Sequence, residues 1–474
     1  MTVHHVTAHR FKQNADKALA DPVLQGNLSK LKDNFLLRRT RAKESLPEFE
    51  DLRDASVAIK NHTLGHLDLY LEAFETAVHA SGGHVHWARD DAEARKIVLG
   101  ICREENATTV TKGKTMIGEE IGINPYLEAN GITPVETDLG EYIIQLAKEP
   151  PSHIIAPAIH KNRQQVATLF NDHHPDLADR SPDDIDGLVA DSRTVLREQF
   201  LAADVGITGA NFLIAETGQT VIVTNEGNGD LTQLLPRVHV VLASIEKVMP
   251  TLEDATTVLR VLARSATGQE MSSYTSLSAG GRREDDLDGP AAFHVVLLDN
   301  GRSALLGSPT HEILRCIRCG CCLNACPVYG KVGGHTYGST YSGPMGAVLT
   351  PSLVGLAETS HLPNASSLCG RCEEVCPMRI PIPKMLRHFR EEEARAGRAP
   401  AAARNGIALW AMVARRPRLY RFATSMMTRL LSWSTRGRGR FTALPMAGAW
   451  TRDRDLASPQ GSSFQSRWAR GERP

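Results

Sequence analysis

The sequence predicts an α/β domain on a largely parallel sheet, then a mainly α-helical cysteine-rich module, then an Arg-rich helical tail. Three observations carry that expectation. Between residues 84 and 300, short apolar runs alternate with helical patterns, as strand–helix–strand units require. Eight of the nine cysteines lie between Cys316 and Cys376, seven of them in two regularly spaced runs. From Arg387 to Pro474 the chain has 18 arginines, no lysine and 6 acids, a net charge of about +12. The whole chain sums to zero, so the remainder is correspondingly acidic.

Residues 1–82 read as an N-terminal helical region. Leu64, Leu67, Leu71, Phe74 and Val78 recur at steps of three and four, which places them on one helix face, and Gly82-Gly83 ends the stretch. The α/β domain is assigned to 83–300. Its strand candidates are Thr108–Thr111, His153–Ala158, Thr220–Thr224, Val238–Ala243 and Phe293–Asp299. Helical patterns cover Asp91–Arg103, Lys161–Phe170, Asp191–Ala203 and Asp254–Ser265. His84 and His86 alternate on a further strand, and the polar stretch Gly280–Gly289 reads as an exposed loop. A linker leads to the cysteine module at 313–385, which carries a Gly-rich insert from Gly330 to Gly346. The basic region 386–474 has helical patterns near Ile407–Val413 and Tyr420–Trp433, then Pro/Ser/Arg-rich sequence.

The cysteine spacing specifies chemistry. The first run is Cys316-x2-Cys319-x2-Cys322-x3-Cys326-Pro327, and the second is Cys369-x2-Cys372-x3-Cys376-Pro377. A cubane iron–sulfur cluster needs four soft anionic ligands, and closely spaced cysteines in one loop reach three corners of it. The cysteine before proline turns to the other cluster. The crossed reading puts Cys316, Cys319, Cys322 and Cys376 on cluster one, and Cys326, Cys369 and Cys372 on cluster two. Two clusters are expected, both 4Fe-4S, with iron held through these cysteines.

A full second run would carry a cysteine where Ser366 stands. Four readings remain open there: a 3Fe-4S cluster, Ser366 or water on the last iron, a partner's ligand, or Cys321 as an extra ligand. Zinc sites draw cysteines as separated pairs, which this crowding does not match. Disulfides do not suit a chain without a secretory signal. Cys102, far upstream in an apolar helical stretch, reads as a buried core thiol.

Polar loops at the ends of parallel strands are where α/β sheets bind ligands. The segment Thr224-Asn-Glu-Gly-Asn-Gly229 follows a strand, so Asn225 and Asn228 are substrate-binding candidates. Thr111-Lys-Gly-Lys-Thr115 also follows a strand and opens a helix, so Lys112 and Lys114 could hold a carboxylate or phosphate. The plain alternative is that these are turns with solvated lysines. Glu216 and Glu226 are candidate acid–base or nucleophilic groups. His173-His174 reads as a polar turn, since no further ligand is spaced for metal closure. No G-x-G-x-x-G stands in the strand-to-helix context that a dinucleotide needs.

The tail has three readings: a solvated helical surface, docking to an acidic partner, or contact with anionic lipid, since arginines interleave with Trp410, Met412, Tyr420 and Phe422. No nucleic-acid motif accompanies the charge. No apolar run reaches the ~20 residues a spanning helix needs, and Met1–Phe11 does not read as a signal peptide. A cytoplasmic protein is the expectation.

Together these segments resemble the lactate-utilisation iron–sulfur protein B family (LutB/LldF). The resemblance rests on Thr137-Asp-Leu-Gly-Glu-Tyr142, Pro157-Ala-Ile-His-Lys161, Thr208-Gly-Ala-Asn-Phe212, Thr224-Asn-Glu-Gly-Asn228 and both cysteine runs. In the tail it rests on Arg452-Asp-Arg-Asp-Leu456 and Ser463-Phe464 with Trp468. It implies an α/β domain similar to ribose-isomerase and CoA-transferase folds, followed by the two-cluster module. It also implies a role in oxidising L-lactate to pyruvate, beside a cysteine-rich redox partner and a smaller homologue of the α/β domain. The family pattern has seven motif cysteines, so the gap at Ser366 is shared, and Cys321 is the departure. Two other function classes stay in play: an α/β enzyme of acyl or CoA chemistry with structural clusters, and a redox-sensing regulator.

Overall fold

Ten strands run through residues 84–298 of the computed structural model: β1 (His84–Ala88), β2 (Thr109–Lys112), β3 (Thr133–Glu136), β4 (Val205–Gly209), β5 (Phe212–Ile214), β6 (Gln219–Thr224), β7 (Val238–Ser244), β8 (Val248–Met249), β9 (Tyr274–Ser278) and β10 (Ala292–Leu298). The structure describes residues 7–472 apart from 178, 400, 436–437, 445–447 and 452–453. Residues 1–6 of the Met1–Phe11 start, and Arg452 and Asp453 of the tail motif, lie outside the described residues.

Six strands form one sheet in the order β1-β10-β7-β4-β2-β3, and every pairing in it is parallel. Burial explains the composition of its central strand. All seven residues of β7 are buried, so Val238-His-Val-Val-Leu-Ala-Ser244 reads as a continuous apolar run rather than an alternating one. The remaining strands make a smaller sheet, β8-β5-β6-β9, in which only β5–β8 is parallel.

The expected helical patterns appear with shifted ends: Asp91–Glu104, Arg163–His173, Ile185–Ala202 and Leu252–Ala266, the last packed on the small sheet against Phe212, Ile214 and Met249. The helix Leu67–Ala80 buries Leu67, Leu71, Phe74 and Val78 against Val241, Phe293 and Val295 of the sheet, which is the face its periodicity predicts. At Gly206 a methyl group would sit on the carbonyl oxygen of Thr232, so the close approach of the helix Asn228–Leu234 to β4 requires glycine there.

One expected strand is absent. His153–Ala158 is a loop, closed by Ser152 N–H donating to Pro157 O at 3.0 Å. Prolines at 150, 151 and 157 remove ladder donors around this short apolar run. Its side chains instead cover the first cysteine loop: His153 Nε2 lies 3.0 Å from Asn324 Oδ1, and Ile154 packs beside the cysteines.

The described chain divides into two units, Met1–Glu392 and Glu393–Pro474. The first contains both sheets and the cysteine module, packed through shared core residues such as Ile154, Phe212, Ile313 and Met385. The second contains the helices Ala401–Ala414 and Pro417–Ser434, neither with a buried residue. Among the described residues, no helix is long and apolar enough to cross a membrane.

Candidate iron–sulfur centre and adjoining cleft

The two cysteine runs adopt the same local backbone. In the first, Arg318 and Gly320 flank Cys319 with φ of +58° and +72°; in the second, Leu368 and Gly370 flank Cys369 with +55° and +85°. A non-glycine residue in the left-handed region is uncommon, and it occurs here at the same place in both loops. Alternation of this kind turns successive N–H groups to one side, a concavity suited to an anionic sulfur cluster. The register also aligns Ser366 with Cys316. The Ser366 hydroxyl accepts from Leu368 N–H at 3.1 Å.

The sulfurs fall into two neighbourhoods. Cys316, Cys319, Cys321, Cys322 and Cys376 line one small cavity with Ile154, Met345 and Ile380. Burial pushes the Cys376 thiol up to about 12, and the nearby Cys319 and Cys316 sulfurs push the same way. Burial, with Cys326 and Cys369 beside it, likewise raises Cys372 to about 12. Thiols so raised, packed sulfur against sulfur, lack the counter-charge a thiolate needs, which iron would supply. Soft sulfur donors in two groups fit iron–sulfur clusters. The first group matches the crossed reading with Cys376, and the second is Cys326, Cys369 and Cys372.

Cys321 belongs to the first neighbourhood. It is 1% exposed, its Sγ–H donates to Val375 O at 3.0 Å, and Cys319 lies beside it. The N-terminal helices grip the second run: Arg39 Nη2 donates to Val375 O at 2.8 Å, and Arg53 Nη2 to Cys376 O at 2.6 Å. Tyr329 N–H donates to Cys326 Sγ at 3.4 Å. Cys102 is buried in the α/β core, as expected of a packing thiol.

A cleft of about 220 Å³ opens beside the first group, with Arg318 and Cys319 in its wall. It lies beyond the carboxyl ends of β2, β4 and β7, where open α/β sheets bind ligands. Lys114 and Asp138 come from the loops after β2 and β3, Asn211 from the turn after β4, and Lys247 from the turn after β7. Asn225 and Glu226 follow β6, and Tyr341 closes the module side.

Of the predicted residues, Lys114, Asn225 and Glu226 reach this cleft. Lys114 Nζ donates to Ile155 O at 3.1 Å and lies 3.7 Å from Asp138. Asn225 ties the rim together, accepting from Ser273 N–H at 3.0 Å. Desolvation and the adjacent Asp138 carboxylate push the Glu226 carboxyl up, against the bond it accepts from Leu139 N–H at 3.1 Å.

Lys112, Asn228 and Glu216 do not line the cleft. Lys112 is fully buried between Glu119 and Glu136, each at 2.8 Å. Burial works against its charge, but the carboxylates of Glu119, Glu136 and Glu141 outweigh that and hold it protonated. Asn228 is buried at a helix start, and its carbonyl accepts from Thr232. Glu216 accepts from Leu252 N–H at 3.4 Å, at the start of the helix Leu252–Ala266.

Lys247, Arg318, Asp138 and Tyr341 went unread as site residues. Asp138 stood within a quoted motif, and Lys247 stands three residues past the apolar run of β7, so strand-end position was the available signal. Lys247 is 7% exposed, and no hydrogen bond or ion pair engages its ammonium among the described residues. Burial, then the neighbouring Arg318, lowers it to about 8. The adjacent Glu246 is taken up by Arg302 at 3.1 Å and Arg318 at 3.3 Å. Arg318 also lies over the Tyr341 ring, 5.0 Å from its centroid.

A parallel-sheet α/β domain joined to a mainly helical dicluster module defines a class: iron–sulfur proteins built on an α/β domain. Comparison with known proteins agrees. Residues 71–298 match the family described as LUD domain, 312–380 the 4Fe-4S dicluster domain, and 371–473 the C-terminal region of lactate utilisation protein B. Lactate utilization protein B of Lysinibacillus sphaericus is 40% identical over 97% of this chain and 96% of its own. Those of Bacillus pumilus and Bacillus cereus are 40% and 39% identical, over 97% of both chains in each case. A crystal structure of a DUF162 family protein from Deinococcus radiodurans covers 49% of this chain and 98% of its own, at 14% identity and a TM-score of 0.29. The chain belongs to the lactate utilization protein B family.

Proposed function

We propose that this chain is the iron–sulfur electron-transfer component of an assembly that oxidises L-lactate to pyruvate, working with a cysteine-rich redox partner and a smaller homologue of its α/β domain. The observation that carries the reading is the juxtaposition of two sulfur groups with a strand-end cleft whose wall includes Cys319. Cys316, Cys319, Cys322 and Cys376 would hold one cluster, and Cys326, Cys369 and Cys372 the other. When bound, such clusters take up and release electrons one at a time. The protein's part is positional. Left-handed residues shape the loops, Arg39 and Arg53 fix the backbone at Cys376, and the Tyr329 N–H orients the Cys326 sulfur. The family name of the relatives supports the physiological substrate.

The setting is cytoplasmic in this reading. The second unit offers exposed Trp410, Phe422, Met426 and Trp433 among arginines, a face for a partner subunit first and for the inner membrane surface second. Glu226 on the cleft keeps acyl chemistry as the competing reading.

The test uses anaerobically purified chain with its iron intact. Visible absorbance and EPR should report cluster reduction by L-lactate only when the partner subunits are added. No reduction with any combination of partners would refute the relay, and acyl transfer by the purified chain would favour the competitor.

A further inference from the structure

The cleft contains an ammonium whose hydrogen-bond donors the protein leaves open. Lys114 is engaged by Asp138 and the Ile155 carbonyl. Arg318 gives Nη2 to Glu246, and its other N–H groups meet no oxygen acceptor among the described residues. Lys247 is buried to more than nine-tenths and has no acceptor at all among them, although it lines the cleft. Burying an ammonium without a partner is costly. Lys112, equally deep in the same domain, shows the usual solution, with two carboxylates at 2.8 Å. Glu246 and the Cys316 sulfur favour the Lys247 charge from nearby, but Glu246 is already taken up by Arg302 and Arg318, so the ammonium's donors stay open to an anion entering the cleft.

The rest of the cleft limits that anion. At about 220 Å³ it falls below the ~300–1,000 Å³ that accommodates drug-sized ligands. Ile155, Leu262 and Ala263 provide an apolar wall for a short alkyl group. Asp138 and Glu226 provide oxygen acceptors for a hydroxyl.

We propose that this cleft binds a small 2-hydroxy- or 2-oxocarboxylate, its carboxylate held by Lys247 and Arg318 beside the Cys319 loop. The carboxylate assignment rests on the geometry, and the 2-oxygen rests on the lactate reading above. Lys247 is a binding residue in this assignment, and no electron or proton step is assigned to it.

Calorimetric titration of the full-length, iron-loaded chain under anaerobic conditions tests this. L-lactate and pyruvate should bind, and the neutral analogue lactamide should bind roughly tenfold more weakly or worse, the worth of one charge-assisted hydrogen bond. Lys247→Met should lose L-lactate by a similar factor, with iron content and visible spectrum unchanged. Should that variant lose iron, Ala263→Leu, which narrows the cleft without touching its charges, should weaken binding instead. The site is overturned if neither L-lactate nor pyruvate binds the wild type, or if the iron-retaining variant binds L-lactate as the wild type does. Propionate binding as tightly as L-lactate overturns the 2-oxygen assignment. Wild-type reduction kinetics in Lys247→Met with partners present would sink the site and spare the relay. L-lactate binding without cluster reduction in any assembly would spare the site and sink the relay.

Discussion

Replacing Arg302 by methionine should destabilise the first unit and disturb the cleft from behind. Arg302 is 0% exposed and donates to both oxygens of Glu120, at 2.9 and 2.6 Å. Its Nε lies 3.1 Å from Glu246. Glu120 also accepts from Asn300 at 2.7 Å and Tyr341 at 2.5 Å, and Glu246 keeps Arg318. The substitution therefore removes the central cation and leaves two buried carboxylates partly answered. Breaking such a pair from one side costs about 3–5 kcal/mol, most of it the orphaned charge. Melting entropy is about 2.1 cal/mol/K per residue, or about 0.8 kcal/mol/K for a unit the size of Met1–Glu392. The expected fall in apparent melting temperature is then about 4–6 °C. Differential scanning fluorimetry of anaerobic protein would read it. Adding Glu120→Gln should recover part of the loss, because it discharges one of the two orphans. A single variant within about 1 °C of wild type, or a double variant less stable than the single, would show that Arg302 does not neutralise these carboxylates.

Two further outcomes are expected. Cys321→Ala should leave iron content and EPR spectra unchanged and cost about 1 kcal/mol, because its thiol is spent on the Val375 carbonyl; loss of a cluster would make Cys321 a ligand. The second concerns pH. Burial lowers His239, bonded to Thr208 at 2.8 Å, to about 3 from an ordinary value of 6.5. The unfolded chain thus takes up a proton below pH 6.5 that the folded chain refuses, so stability present above that pH is lost as pH falls toward 3. Between pH 7 and 5 this amounts to about 2 kcal/mol. The stability gap between wild type and His239→Gln should narrow by about that amount over the interval in urea titrations; a constant gap would remove His239 as the cause.

Signals that are local in the chain are legible in the sequence. The cysteine runs are such signals, since three sulfurs on one short loop need no tertiary information. So is β7, whose seven buried residues announce a strand covered on both faces. β3 and β4 were missed for the opposite reason. Thr133-Pro-Val-Glu136 is a four-residue edge strand holding a proline, and β4 carries Gly206 and Gly209, so local propensity is weak and the ladder is imposed by neighbours. His153–Ala158 shows the reverse error: apolar residues bounded by prolines looked like a strand because their partner, the cysteine loop, lies more than 150 residues away. The lysines divide in the same way. Lys112 ends β2 and Lys114 stands two residues on in the loop that follows, yet one is locked between carboxylates inside the domain and the other faces the cleft.

Iron–sulfur chemistry, the parallel α/β class and the family are written in the chain order, because ligand spacing and hydrophobic period are properties of neighbouring residues. The tertiary structure alone decided which side chains meet. It joined Lys114, Asp138, Glu226, Lys247 and Arg318 from five separate loops around one cleft, and it set that cleft against Cys319. Charge neutralisation is the physical reason: whether a lysine is a structural counter-ion or an open binding group depends on which carboxylates the fold brings to it.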